Sequence, residues 1–304
     1  MKKYFLIILI VASTSSCNWD LIRYNKDYEF IQFYNPTMAL TLAVLSNASY
    51  LENIEPLAHF IKNHPEKIIN NLEIELIESK KYETRLIVLH SESFIFFIFR
   101  GTQNKKNWLL DSEFQKSCGS DGNSIHKGFY KGYSYFRQRL IHLITNKLKT
   151  KYKDRFSKIK RYYSGHSLGG ALATLAVNSL EGSNGIIGGE NFAGLYTFGS
   201  PRVGNECFVN KFNEQFLERT FRFVNNNDIV TRVPLNSQGY YHVGYYIYIN
   251  SDGQLTLNYP YSAQIYDSFR GFFFRMFVDG LDDHKISHYI KALEKLENPF
   301  LKAL

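Results

Sequence analysis

Gly165-His166-Ser167-Leu168-Gly169 sets a serine between glycines at a point where the sequence changes character. Ahead of it, Ile159, Arg161, Tyr162 and Tyr163 form a β-branched and aromatic run that reads as a strand. Behind it, Gly170-Ala171-Leu172-Ala173-Thr174-Leu175-Ala176 is a strong helix former. A serine on such a strand-turn-helix corner presents its Oγ, with the first helical amides aimed where negative charge develops during attack on a carbonyl. A hydroxyl is a weak nucleophile until a base takes its proton, and the base needs a third group to orient it. In this architecture the chain order is serine, acid, histidine. Asp228 follows the expected strand 221–225, at its carboxyl end, where open α/β sheets build their sites. His242, His284 and His288 come later. His242 opens a strand and reads as a packed residue. His284 follows Asp282-Asp283 at a helix start, where its ring can swing over the sheet edge, and His288 is one turn further on. His284 is therefore the expected base, and His166 reads as a packed residue of the elbow.

The elements that must position these groups follow from periodicity. Residues 18–35 read as an irregular lead-in, and a helix is expected over 37–50, just after Pro36. Strands are expected at 85–90 and 94–99; the second is apolar on both faces and so central. From Phe129, the positions Tyr133, Phe136, Leu140, Ile144 and Leu148 step by three or four, the mark of a long amphipathic helix. Strands then alternate with helices: 159–164 with 169–180, 195–198 with 206–216, then a strand at 221–225. Residues 243–250 pair with 254–258 through Asp252-Gly253. Ile286, Ile290, Leu293 and Leu296 mark a closing helix. The alternation predicts an α/β fold, a mostly parallel central sheet with helices on both faces, in one domain over 17–304.

The first residues read as a targeting signal. Lys2-Lys3 precede a short apolar run, 4–12, and Ser13-Thr14-Ser15-Ser16 precede Cys17. The run is too short to cross a bilayer as a helix. Small residues directly before a cysteine resemble a bacterial lipoprotein signal, with 1–16 removed and Cys17 lipidated as the mature N-terminus. Asn18, rather than aspartate, resembles outer-membrane sorting. Plain cleavage and secretion is the alternative. The net charge of +8 fits either an anionic lipid surface or an ordinary basic globule. The lysines are scattered and no binding motif occurs, so no nucleic acid is expected. Cys118 and Cys207 form a disulfide or remain two thiols; both stay open. No C-x-x-C or His/Cys cluster points to a metal, and no cofactor is expected.

Several separated motifs together resemble the class 3 lipases, a fungal-type branch of the α/β-hydrolases. Phe99-Arg100-Gly101-Thr102, Asn107-Trp108-Leu109-Leu110-Asp111 and His126-Lys127-Gly128-Phe129 are similar to family segments. So are the elbow through Ala173, the run Thr197 to Asn205, and Asn227-Asp228-Ile229-Val230. The resemblance implies an α/β-hydrolase fold and a triad of Ser167, Asp228 and His284. It implies an oxyanion hole of Thr102 and the Leu168 amide, Asp111 supporting the Thr102 hydroxyl, and Tyr289 as the tyrosine of the last helix. The implied activity is serine hydrolysis of carboxylic esters in lipids, an acylglycerol lipase working at a membrane or lipid interface. Phospholipase A1, a short-chain esterase and a non-catalytic lipid- or protein-binding module are the alternatives; retention of all three triad residues speaks against the last. The chain departs from better-known members over 259–281, which is densely aromatic. The stretch 269–277 reads as buried core or as a wall for an acyl chain. Segment 105–125 is short and polar apart from Trp108, Leu109, Leu110 and Phe114.

Overall fold

Helix α1 (Pro36–Ala48) starts where a cap and a pre-set φ coincide: Asn35 Oδ1 accepts the Met38 amide at 2.9 Å, and Pro36 fills the first position. It ends two residues before the expected boundary, so Tyr50 lies in the turn beyond it. The computed structural model describes residues 33–53, 55, 57, 72–79, 81–102, 116–118, 122–257 and 280–297, all within one unit, Gln32–Leu304. The leader with Cys17, Asp111 and the aromatic stretch 269–277 lie outside the described residues.

Strands β1 (Glu73–Ser79), β2 (Thr84–His90) and β3 (Phe94–Phe99) come next, then the small pair β4 (Lys116–Cys118) and β5 (Ser124–His126). Helix α2 (Lys127–His142) leads to β6 (Lys160–His166) and α3 (Leu168–Leu180). Then follow β7 (Phe192–Phe198), α4 (Glu206–Phe216), β8 (Thr220–Asn225), β9 (Tyr245–Ile249), β10 (Leu255–Leu257) and α5 (Ile286–Glu297). The main sheet runs β1-β2-β3-β6-β7-β8-β9-β10. Its centre, from β3 to β9, is parallel, and both flanks are antiparallel.

The core divides at the sheet. Phe97 and Phe99 face α2 and α3, where they pack with Phe136, Leu140 and Leu172. Phe96 and Ile98 face α1 and α5, where they pack with Leu42, Tyr289 and Leu293. Both faces of β3 are thus buried, as its unbroken apolar run predicts. The amphipathic stripe of α2 runs on past the helix: Ile144 and Leu148 are buried in a π-helical turn, Leu143–Leu148, before one further α turn, Lys149–Tyr152.

Strand β1 was not among the expected elements. It alternates acids with Ile74, Leu76 and Ile77, and it is the sheet's edge. Glu73 pairs with Lys151, Glu75 with Lys147 at 2.5 Å and Glu78 with Arg85 at 2.6 Å. Paired charges along an exposed edge discourage a second chain from adding to it. A different ion pair lies inside. At the start of β6, Arg161 grips Glu181, which caps the far end of α3, at 2.7 and 3.0 Å. Tyr163 donates to the same carboxylate at 2.6 Å, and all three side chains are buried.

Helix α2 is capped by His126, whose Nδ1 accepts the Gly128 and Phe129 amides at 3.2 and 3.3 Å. Burial pushes the pKa of this ring down to about 4, and burial lowers that of His90 as well. Below an unfolded value of 6.5 the unfolded chain takes up protons that the folded chain refuses, so stability is lost as pH falls from there towards 4. Each such histidine contributes up to about 1.4 kcal/mol per pH unit. The urea midpoint is expected to fall steadily from pH 7 to pH 4. His126→Asn keeps a capping oxygen without titrating and is expected to flatten that decline; an unchanged slope would mean that His126 does not carry it.

Candidate active site

Ser167 sits at the junction of β6 and α3 with φ 61 and ψ −134, a conformation an L-residue adopts only under constraint. Its amide donates to Phe198 O at 2.9 Å, which ties the corner to β7. Two glycines make the corner possible. A Cβ on Gly169 would stand 2.0 Å from Phe99 O, and one on Gly165 would stand 2.3 Å from the Gly169 carbonyl carbon. The elbow read from the sequence is thus a three-way contact of β3, β6 and α3.

Asp228 lies in the turn after β8, its amide held by Asn225 O at 2.9 Å. Its carboxylate receives the Val230 amide at 2.9 Å and the Tyr289 hydroxyl at 2.5 Å. Burial first, and the Asp228 charge second, push the Tyr289 pKa well up, so the phenol keeps the proton it donates. His284 occupies the turn just before α5, and its Nδ1 lies 2.9 and 2.8 Å from the two Asp228 oxygens. A carboxylate only accepts, so Nδ1 carries the hydrogen and Nε2 presents a lone pair. That Nε2 is buried and meets no hydrogen-bond partner among the described residues.

Ser167, Asp228 and His284 are 1%, 1% and 0% exposed, so the three are closed off from solvent together. Gly199, next to the Phe198 carbonyl that holds Ser167, presses on the other two. A Cβ there would stand 2.6 Å from Asp228 Oδ2 and 2.8 Å from His284 Nδ1. No hydrogen bond joins Ser167 to His284 among the described residues. Thr102 is buried three residues past Phe99, the last residue of β3, and Leu168 is the first residue of α3, with an amide that no intrahelical carbonyl can satisfy.

The other histidines are elsewhere. His288 is about a third exposed and faces Asp282 at 3.8 Å. His242 meets Thr231 O at 2.8 Å, with its pKa held well below the usual range by burial and by Arg222 and Arg202. Among the described residues no group of three or more His, Cys, Asp and Glu is arranged to hold a metal ion.

One carboxylate went unassigned in the sequence. Asp283 Oδ2 accepts the Asn227 amide and Asn226 Nδ2, each at 3.1 Å, while its carbonyl accepts Asn225 Nδ2 at 2.9 Å. It joins the Asp228 turn to the His284 turn. Its only signal in the sequence is its place directly before a candidate histidine.

The family model described as Lipase (class 3) matches residues 96–238 of this chain. The match takes in Thr102, Ser167 and Asp228 and stops short of His284. The secreted mono- and diacylglycerol lipase A of Penicillium camembertii is 32% identical over 178 residues, 57% of this chain and 53% of that protein. A lipase of Rhizomucor miehei is 33% identical over 177 residues, 56% of this chain and 47% of that protein. The chain spans about half the length of these curated relatives. Among solved structures, the Rhizomucor miehei lipase propeptide complex superposes with a TM-score of 0.61 at 28% identity, over 73% of this chain and 70% of that one. Lipase II from Rhizopus niveus gives 0.61 at 26% identity, over 71% and 81%. The fold is that of the α/β-hydrolases.

Asp283→Ala removes a charged acceptor from two donors. A loss of about 1–3 kcal/mol in unfolding free energy is expected, with far-UV circular dichroism unchanged. An unaltered urea midpoint would show that the two turns hold together without it.

Proposed function

We propose that this chain is an exported serine hydrolase of lipid carboxylic esters, with acylglycerols as substrates. The observation that carries the reading is the division of labour on His284: Nδ1–H is given to Asp228 and Nε2 is left without a partner among the described residues, while the elbow serine is held at φ 61. Ser167 Oγ attacks the ester carbonyl and its proton passes to His284 Nε2. The imidazolium so formed faces the Asp228 carboxylate. As the C–O bond breaks, the same proton passes to the departing alkoxide, leaving an acyl-serine. Water then attacks the acyl carbon and gives a proton to Nε2, and that proton returns to Ser167 as the fatty acid leaves. The Leu168 amide and Thr102 meet the oxyanion, and loss of one such donor raises the barrier by about 3 kcal/mol. Asp111 has the task of orienting the Thr102 hydroxyl.

The substrate class draws support from relatives named as mono- and diacylglycerol lipases, and export from the word secreted in those names. The basic start, the short apolar run and the small residues before Cys17 support a lipid anchor in the outer membrane.

Ser167→Ala is expected to abolish both p-nitrophenyl ester hydrolysis and labelling by a fluorophosphonate probe, with the fold intact; triad losses reach about 10⁴- to 10⁶-fold. His284→Ala should equal it while His288→Ala stays near wild type. Residual turnover in the serine variant sinks the assignment, and the reverse order of the histidines moves the base. A panel of mono-, di- and triacylglycerols and phospholipids then ranks the substrates. Separately, labelled palmitate should enter the wild type in its host and not Cys17→Ser; an unlabelled wild type would leave simple secretion.

A further inference from the structure

Tyr50 and His166 have no task in the hydrolytic reading, yet they share one line of hydrogen bonds. His166 directly precedes Ser167 and is 1% exposed. Its Nε2 lies 2.7 Å from the main-chain carbonyl oxygen of His284. A carbonyl only accepts, so Nε2 carries a hydrogen, and in a neutral ring Nδ1 is then an acceptor. The Tyr50 hydroxyl lies 3.0 Å from Nδ1 and donates to it. That hydroxyl is packed against Gly101, and its enclosure pushes the phenol pKa up. The line runs from the Tyr50 hydroxyl, pressed against Gly101, to His166, and ends at the His284 carbonyl. It starts against the residue before Thr102, passes one residue before Ser167 and finishes on the base itself.

We propose that Tyr50 and His166 form a positioning relay that fixes the distances between oxyanion donor, nucleophile and base, three groups carried by three separate chain segments. The proposal rests on the serine-hydrolase reading. Asp228 holds the ring of His284, and His166 holds its backbone; two attachments at different points set an orientation that one leaves free to swing. The parts are pressed together with no slack. A Cβ on Gly101 would stand 2.7 Å from the Tyr50 hydroxyl, 2.8 Å from His166 O and 3.2 Å from Ser167 Cβ, while the His166 and His284 ring centroids are 4.5 Å apart. A neutral imidazole suits the post because it carries a donor and an acceptor at separate ring positions, enough to span from a phenol to a carbonyl.

The test uses the full-length protein with Tyr50→Phe, His166→Leu, His166→Gln and the double variant Tyr50→Phe/His166→Leu. Two readouts are taken: kcat and KM on a soluble ester per folded molecule, and the low-field proton resonance of His284 Nδ1–H, which needs no substrate. The relay predicts a fall in kcat of about tenfold to a hundredfold with KM little changed, the size of effect that small misplacements produce. His166→Gln, which can still donate to the His284 carbonyl, should recover part of what His166→Leu loses. The double variant should be no worse than His166→Leu, because the line is already cut. The resonance should shift or broaden in Tyr50→Phe. Variants that lose thermal stability yet keep kcat per folded molecule and the resonance overturn the relay, and so do losses that multiply in the double variant. If the wild type hydrolyses no ester, the hydrolase reading falls, and the resonance alone decides whether the relay orders His284.

Discussion

A serine at φ 61 and ψ −134 costs on the order of 1–3 kcal/mol and persists only where its surroundings leave it no alternative. Here the surroundings are the centre of the sheet. Strand β3 runs so close under the elbow that Gly169 has no room for a methyl group against Phe99 O. Strand β7 receives the serine amide through Phe198 O. The apolar burial of β3 on both faces therefore does more than fill a core; it supplies the rigid floor on which the strained turn rests. Loosen β3 or β7, and the serine has a cheaper conformation to fall into.

Around that point the polar groups are used economically. Asp228 receives an imidazole N–H, a phenol O–H and a backbone amide in a site almost without solvent, and a buried carboxylate lacking such donors would cost several kcal/mol. Those donors come from the acid's own turn, from the turn before α5 and from α5 itself. Asp283 stitches the same two turns a second time from outside. The loop that carries the acid and the loop that carries the histidine are thus one mechanical unit, although 56 residues separate Asp228 from His284 along the chain.

What was legible in the sequence was what is local. The elbow, the unbroken apolar run of β3 and the helix Glu206–Phe216 all announce themselves within a dozen residues. What was not legible depends on partners far away. Strand β1 carries its apolar residues among acids, and it becomes a strand by pairing with β2 and by meeting lysines from beyond α2. Tyr50 reads as the tail of a helix, and its hydroxyl acquires meaning only from His166, 116 residues on. His166 was rightly read as packed, but packing hid the fact that both ring nitrogens are engaged. The turn before α5 brought its histidine to the acid because D-D-H at a helix start is a local pattern too; which of two histidines one turn apart faces inward is a matter of tertiary fit.

The buried Arg161–Glu181 pair lies at the opposite end of β6 and α3 from Ser167. Strand and helix together therefore make a bow: strung at one tip by the bidentate ion pair, bent at the other into the elbow. With the string in place, β6 cannot slide along α3 to let the bend relax, so tension at the serine is held from the far side of the protein. Cutting it leaves a lone charge in the interior, which is expensive in itself, and it also frees the two limbs to shift in register. A change at a residue well away from the candidate nucleophile would in this way be felt as a loss of curvature at the tip.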